Sequence, residues 1–273
     1  MPCVVALGAV ASSLKLQPRN DDIDKEVREP GSKCARRGLV GKRTLPLSLV
    51  ILSHALPRLR MAAALVSLLA LVCQQPRAWD AERMSMAAQR LGPGAVAATR
   101  TLQPLIITIG DQDDEARLQA VNQFYNRRIV FRDDVEVWGQ QDHWASPMET
   151  LNKGAGDCED YAIAKYFTLL AAGIPAPKLR LVYLRAQIGG PGGVFQAHMV
   201  LAYHATPTTE PLILDNLIGD VRPASRRPDL EPVFSFNSDG LWQGSGPALA
   251  GDPAARLSRW REVLAKAQVE GFL

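Results

Sequence analysis

The stretch Gly154-Ala155-Gly156-Asp157-Cys158-Glu159-Asp160-Tyr161-Ala162-Ile163-Ala164-Lys165-Tyr166-Phe167 decides how the rest of the chain is read. Small residues come first, then three acids around one cysteine, then a run with helical spacing. Ile163, Ala164, Phe167, Leu170 and Ala171 share one face of a helix expected over residues 158–172, with Gly173 as its stop. A cysteine in a first helical turn sits among amide N–H groups and at the positive end of the helix dipole, and both favour a thiolate. The carboxylates at 157, 159 and 160 oppose a second negative charge there. Such a thiol needs a cationic partner, or the acids need a metal. The small residues at 154–156 leave room for a substrate backbone to approach.

Before this helix, residues 80–103 are rich in Ala and Met, with a break at Gly92-Pro93-Gly94. Residues 111–124 open with acids and place Leu118, Val121 and Phe124 at helical spacing. Residues 131–138 read as a short extended segment. Residues 142–151 read as a loop entering a helical turn, with Pro147 at an early position that tolerates it. After the helix come strands over 179–185, 197–204 and 212–215, the first two joined through the Gly-rich loop 189–193. A helix over 256–269 closes the chain. Helices first and an antiparallel sheet second is an α+β arrangement, not an alternating βαβ one.

The sheet offers the cationic partner. A hairpin turning between Thr206 and Pro207 sets His198 opposite Asp215, and cross-strand neighbours sit about 5 Å apart, right for an imidazole–carboxylate bond. His204 then lies beside the turn, away from Asp215. His143 precedes the helix but has no matched carboxylate. Cys158 as nucleophile, His198 as base and Asp215 as the group that orients the base is the arrangement this register predicts. Singly, each residue reads as readily as structural: a buried thiol, a strand histidine, a strand-end turn former. Trp144 and the backbone N–H of Cys158 are candidates to hold an oxyanion, although Trp144 reads equally as core. Asp157, Glu159 and Asp160 suit a hard cation such as calcium, and equally a solvated acidic turn.

The totals fit a globular chain with a sizeable core: 273 residues, 47% hydrophobic and 22% charged. The formal charge of +3 is unevenly placed. Residues 1–60 carry eleven Lys and Arg against five Asp and Glu, whereas residues 79–273 carry nineteen against twenty-three. No basic stripe interleaved with aromatics speaks for nucleic-acid binding. Residues 61–78, MAAALVSLLALVCQQPRA, follow Arg58 and Arg60 and end on a small residue. That is the layout of a secretory signal, and its apolar run is short for a span of roughly 20 residues. A helix pair over 45–73 anchored in a membrane is the competing account. We expect residues 1–78 to be a non-catalytic front end, with Met61 as the functional start, and 79–273 to be one catalytic domain. Of Cys3, Cys34, Cys73 and Cys158, a cut after Ala78 leaves only Cys158. A lone thiol in an oxidising compartment cannot close an intramolecular disulfide.

Several segments resemble one family in the right order. They are Asp134-Val135-Glu136-Val137-Trp138, then Trp144, then 156–167, Ala197-His198-Met199-Val200-Leu201-Ala202, Leu214-Asp215-Asn216-Leu217, and Pro232-Val233-Phe234-Ser235-Phe236-Asn237. Over roughly residues 110–242 the chain resembles the bacterial transglutaminase-like cysteine proteinases, and within them a periplasmic branch. The resemblance implies a papain-like, transglutaminase-type fold, with a helical lobe carrying the nucleophile packed on an antiparallel sheet. It implies a triad of Cys158, His198 and Asp215, and calcium dependence with ligands at Asp157 and Glu159. It further implies a large surface adhesin as substrate, cut near its N-terminus beside paired alanines, with consequences for attachment and biofilm. The inhibitor it implies is an inner-membrane receptor that responds to cyclic di-GMP. Two departures bear on the cleft: His143 stands where the family often has an aromatic residue, and the 189–193 loop is longer than usual. A transglutaminase-type acyl transferase uses the same residues, and a binding module with a dead triad uses the same fold.

The signal makes one prediction testable without any activity. Protein recovered from the periplasm should begin near Trp79 on N-terminal sequencing. A mature form that retains residues 1–60 contradicts both the start site and the export reading.

Overall fold

The computed structural model describes residues 79–273. The front end, residues 1–78 with the signal at 61–78, lies outside the described residues, together with Cys3, Cys34 and Cys73. Among the described residues no helix is long and apolar enough to cross a membrane.

Helices lead, as the order of patterns predicts. Asp80 caps α1 (Ala81–Leu91) by accepting the Arg83 N–H at 2.9 Å. Gly92 ends it, and Pro93 opens α2 (Pro93–Ile109) at the position where a missing N–H costs nothing. Asp113 caps α3 (Asp114–Arg128), which has acids in its first turn and arginines in its last, matched to the helix dipole. This helix runs four residues past the expected 124, because Tyr125 continues the buried stripe of Leu118, Val121 and Asn122.

Residues 131–138 are a correction. Only β1 (Val130–Phe131) is extended, and α4 (Asp134–Trp138) follows it. Val135 and Val137 suggest a period of two. Two consecutive acids at the start and a left-handed Gly139 (φ 67°) at the end instead close a single helical turn. α5 (Pro147–Lys153) begins with a reciprocal capping box between Ser146 and Glu149, and Gly154 ends it. β2 (Ala155–Gly156) then pairs in parallel with β1. It delivers the chain to α6 (Cys158–Ala171), whose neighbours are α2, α3, α5 and two strands of the main sheet.

Those strands belong to a seven-stranded antiparallel sheet. Its members are β3 (Leu179–Ile188), β4 (Val194–Tyr203), β5 (Leu212–Leu214), β6 (Arg222–Pro223), β7 (Leu230–Phe236), β8 (Leu241–Gln243) and β9 (Leu249–Gly251), in the order β6-β5-β4-β3-β7-β8-β9. The Gly-rich loop at 189–193 is the tip of the β3–β4 hairpin, so both strands are longer than the expected 179–185 and 197–204. Val182, Leu184, Ala186, Val200, Ala202 and Ile213 cluster in the core, with Ala224 and Leu230 packed on them. α6 packs on β3 and β4. The C-terminal helix expected over 256–269 is broken at Leu257 into α7 (Pro253–Arg256) and α8 (Ser258–Val269). From α8, Trp260 is fully buried and meets Tyr166 and Phe167 of α6 and Phe236 of β7, with centroids 5.2–5.6 Å apart. The architecture is the α+β one expected: a helical lobe on an antiparallel sheet.

The chain end also fixes the start of α5. Glu270 accepts from the Ser146 hydroxyl and, at 3.2 Å, from the Met148 N–H. Burial drives its carboxyl up to about 7, against the hydrogen bonds from Ser146 and Met148. Glu149 adds to the rise and Lys266 opposes it. A carboxyl raised on folding gives stability that is present below its ordinary range near 4.5 and is lost as pH climbs through about 7. Glu270→Gln should therefore flatten the decline in urea-unfolding stability of wild type between pH 5 and 8. Parallel pH profiles for the two proteins would contradict this.

Candidate active site

Cys158 opens α6, and the residues before it explain its position. Asp157 is the N-cap residue by backbone, yet its side chain does not cap the helix. Gly156 cannot be replaced by a larger residue without movement, because a Cβ there would meet Asp160 Oδ2 at 2.5 Å and Asp160 Cβ at 2.8 Å. Asp160 turns back to accept the Ala145 N–H at 2.8 Å, tying the approach to α5 onto the first turn of α6. The thiol of Cys158 is buried and donates to Glu159 Oε2 at 3.0 Å. It forms no disulfide among the described residues.

α6 lies against β4, the strand that carries His198. The imidazole Nε2 of His198 is 2.8 Å from Asp215 Oδ1, with both side chains buried. If Nε2 carries the hydrogen of that bond, Nδ1 is the basic nitrogen. The register that brings the pair together is not the expected one. Leu201, Ala202 and Tyr203 pair with Leu214, Ile213 and Leu212, which sets Asp215, just beyond β5, across from Val200 rather than His198. The slip is two residues. Because strand side chains alternate with a period of two, it preserves the shared face, and His198 meets Asp215 diagonally. His204 lies past the end of β4 with its N–H on Lys178 O, away from Asp215 as expected.

Asp215 is held by hydrogen bonds at Oδ1 and at its carbonyl, and by an ion pair at Oδ2. Oδ1 also accepts the Leu217 N–H at 3.0 Å, and Oδ2 is 2.8 Å from Arg227 Nη1. Its backbone carbonyl accepts from Asn126 Nδ2 of α3 at 2.7 Å. Burial alone would raise the carboxyl. The hydrogen bond and charge of His198, then Leu217 and Arg227, reverse that and hold it well below the ordinary carboxylate range. Lys165, two turns along α6 from Cys158, is fully buried, and burial lowers its ammonium to about 7 against the pull of Asp215.

A second cluster surrounds the helix start. Asp134, Asp157 and Asp160 each bring a carboxylate oxygen within 4.8 Å of the others, and all three are buried. Asp157, Cys158 and Glu159 form a group within the same limit. Burial, then the charges of Glu159 and Asp134, push the Asp160 carboxyl well above its ordinary range, and the N–H groups of Ala145 and Asp157 oppose this. Carboxylates this close and this dry call for protons or a cation, and an all-oxygen set fits a hard cation such as calcium. Asp157 stands in the trio as expected, whereas Glu159 is directed to the thiol.

Trp144 packs against the sheet. Its indole N–H donates to Asp142 Oδ1 at 3.1 Å, and its ring stacks on Phe236 at 5.6 Å. In this structure that N–H is bonded to Asp142, and the half-buried ring packs as the structural reading of Trp144 has it. His143 donates its backbone N–H to Asp134, and its ring lies against Trp138 at 4.4 Å. Sequence reasoning missed Asp134, Asn126 and Arg227. Asn122 and Asn126 did carry a signal, as polar residues one turn apart beside the buried stripe of α3. Arg227 carried none, since its partners are fixed only by the sheet edge.

Residues 98–228 match the family model described as bacterial transglutaminase-like cysteine proteinase. The structure resembles LapG from Legionella pneumophila in an EGTA-treated form, with 37% identity and a TM-score of 0.60 over 68% of this chain and 97% of that one. It also resembles the calcium-bound form of that protein, with 35% identity and a TM-score of 0.57 over 68% of this chain and 98% of that one. No curated protein matches the chain.

The close approach at Gly156 gives a direct check. Gly156→Ala should destabilise the protein by about 1–3 kcal/mol in urea unfolding, the usual cost of forcing atoms into a filled site. A neutral substitution would mean that Asp160 does not lie over Gly156.

Proposed function

Because this chain belongs to the bacterial transglutaminase-like cysteine proteinases, we propose that Cys158, His198 and Asp215 act together as its peptide-cleaving triad. Membership makes the protein a cysteine peptidase with a protein substrate. The observation that carries the triad is the buried His198–Asp215 bond on the strand against which the cysteine-bearing helix lies.

In this reading His198 Nδ1 takes the Cys158 proton, and the sulfur attacks the scissile carbonyl carbon. The N–H groups of the first turn of α6 face the oxygen that becomes negative, with Cys158 N–H the natural donor now that Trp144 serves Asp142. The imidazolium, steadied by Asp215, returns its proton to the departing amine and leaves a thioester. His198 then draws a proton from water, the hydroxide equivalent displaces the sulfur, and Cys158 recovers its proton as the acid product leaves. Resolution by an amine in place of water would give acyl transfer; the proteinase family match favours water.

Calcium belongs to this reading. Asp157 and Asp160, with Asp134 from α4 and Glu159 alongside, are the residues that would hold it. Bound there, it would offset the crowded negative charge beside the nucleophile and fix the segment leading into α6. The calcium-bound form of the similar Legionella protein supports the assignment. We further propose a periplasmic location, a large surface adhesin as the substrate, an effect on attachment through its cleavage near the N-terminus, and control by an inner-membrane receptor of cyclic di-GMP. These rest on the signal-like segment at 61–78 and on the family resemblance.

The test is incubation of purified protein with the N-terminal region of the large repeat adhesin of the same cell. Discrete new fragments are expected from wild type. Cys158→Ala should give none, and His198→Ala should lose about 10²–10⁴-fold in rate, the range for a lost general base. Asp215→Asn should lose substantial activity and His204→Ala little. Cross-linked products in place of fragments would indicate a transferase, and a stable complex alone a binding module. A calcium-selective chelator and Asp157→Ala should each suppress cleavage, and calorimetry should show calcium binding to wild type but much weaker binding to the variant. Full activity in excess chelator with no binding heat would return the acids to a structural role.

A further inference from the structure

We propose that Arg227 is a positioning residue for the reaction, clamping the far oxygen of Asp215 so that the near oxygen stays aimed at His198. The inference rests on the triad reading above and extends it to a fourth residue. Arg227 follows the short 3₁₀ turn Ala224–Arg226, and its side chain is 4% exposed. Its guanidinium is divided between two acids. Nε lies 3.0 Å from Asp229 Oδ1 and Nη2 lies 2.7 Å from Asp229 Oδ2, a two-pronged grip along one edge. The remaining nitrogen, Nη1, makes an ion pair with Asp215 Oδ2 at 2.8 Å, close but not aligned as a hydrogen bond. Asp229 thus fixes the plane of the fork, and the fork fixes Asp215.

The consequence follows from how a carboxylate turns. Asp215 Oδ1 serves His198 and the Leu217 N–H. Without a partner on Oδ2, rotation about the terminal bond exchanges the two oxygens and breaks both bonds. With Arg227 in place, any such rotation also breaks the ion pair, in a site where the carboxylate has 0% exposure. The guanidinium is in turn part of what keeps Asp215 charged. A lysine could supply charge to Asp215 but not the simultaneous edge-on grip of Asp229. The competing account is that Arg227 only staples the 215–229 segment to the sheet edge.

The experiment compares wild type, Arg227→Gln, Arg227→Lys, Asp215→Asn and the double variant Asp215→Asn with Arg227→Gln. Two readouts are taken: the imidazole Nε2–H resonance of His198 by ¹H–¹⁵N NMR, assigned with His198→Ala, and kcat and KM on the adhesin N-terminal fragment. Arg227→Gln should shift or erase the resonance and lower kcat about 30-fold or more, with KM changed less than about 3-fold. Arg227→Lys should recover roughly a tenfold part of that loss. In the Asp215→Asn background the same Arg227→Gln change should cost less than about 3-fold, because its target is gone. An unchanged resonance, or an equal loss in both backgrounds, overturns the proposal in favour of the stapling account. If Arg227→Gln does not fold, Asp229→Asn takes its place, since it loosens the fork from a partly exposed side and leaves Arg227 present. It should shift the same resonance, and an unmoved one counts against the clamp. An Asp215→Asn protein of full activity would remove the triad reading itself, while the resonance would still decide whether Arg227 orients Asp215.

Discussion

The structure depends on the burial of α6. A helix with apolar residues on one face can lie on a surface, but this one is enclosed from Cys158 through Leu169, its acids and Lys165 included. Each wall of that enclosure is also a part of the site. α3 brings Asn126 to Asp215, α5 is tied by Ala145 to Asp160, α4 brings Asp134 to the helix start, and β4 brings His198. Trp260 of α8 closes the far end on Tyr166 and Phe167. Packing that would otherwise serve only stability therefore sets the position of the Cys158 thiol.

Enclosure makes charge the second constraint. A buried charge must be paired, neutralised or bound to a metal. The protein uses a different answer on each side of Cys158. Toward the sheet, Asp215 is paired with Arg227 and His198, so it remains an anion. Lys165, buried without such a pair, falls to about 7. Toward α4, the carboxylates of Asp134, Asp157 and Asp160 face each other, and the Asp160 carboxyl rises. The Cys158 thiol opens a helix with the His198–Asp215 pair on its sheet side and an acidic cluster at its start, and its hydrogen bond to Glu159 couples it to the acidic side.

Much of this was legible in the sequence, and the failures have physical causes. The α6 helix, its stop and the antiparallel sheet follow from local periodicity and turn residues. The register expected for His198 and Asp215 is two residues off, yet the two side chains still meet because parity, not the ladder position, decides which face a side chain takes. Residues 131–138 failed because two valines at alternate positions outweighed the helix-start acids and Gly139 in a segment too short for either period to show. Trp144 was placed beside the cleft, but the direction of its N–H depends on Asp142, which adopts a left-handed backbone (φ 56°) and pairs with Arg259 of α8. Neither fact has a local signature.

The segment from Asp215 to Asp229 shows why part of the site is held by polar bonds and not by a core. Asn126 holds the carbonyls of Asp215 and Ile218, and Asn122 holds that of Gly219. The Ala224 N–H bonds Pro211 O, and Arg227 joins both ends of the segment. Apolar packing would supply free energy here but little direction, since burial is indifferent to the rotation of a carboxylate. Hydrogen bonds lose strength steeply with angle, so they fix orientation as well as position, and the Arg227 ion pair adds charge on the far oxygen. In the proposed triad the Asp215 carboxylate aims the His198 imidazole, and that needs angular restraint. Its anchors come from α3, from the loop after β5 and from the turn before β7, three stretches that come together only in the folded chain.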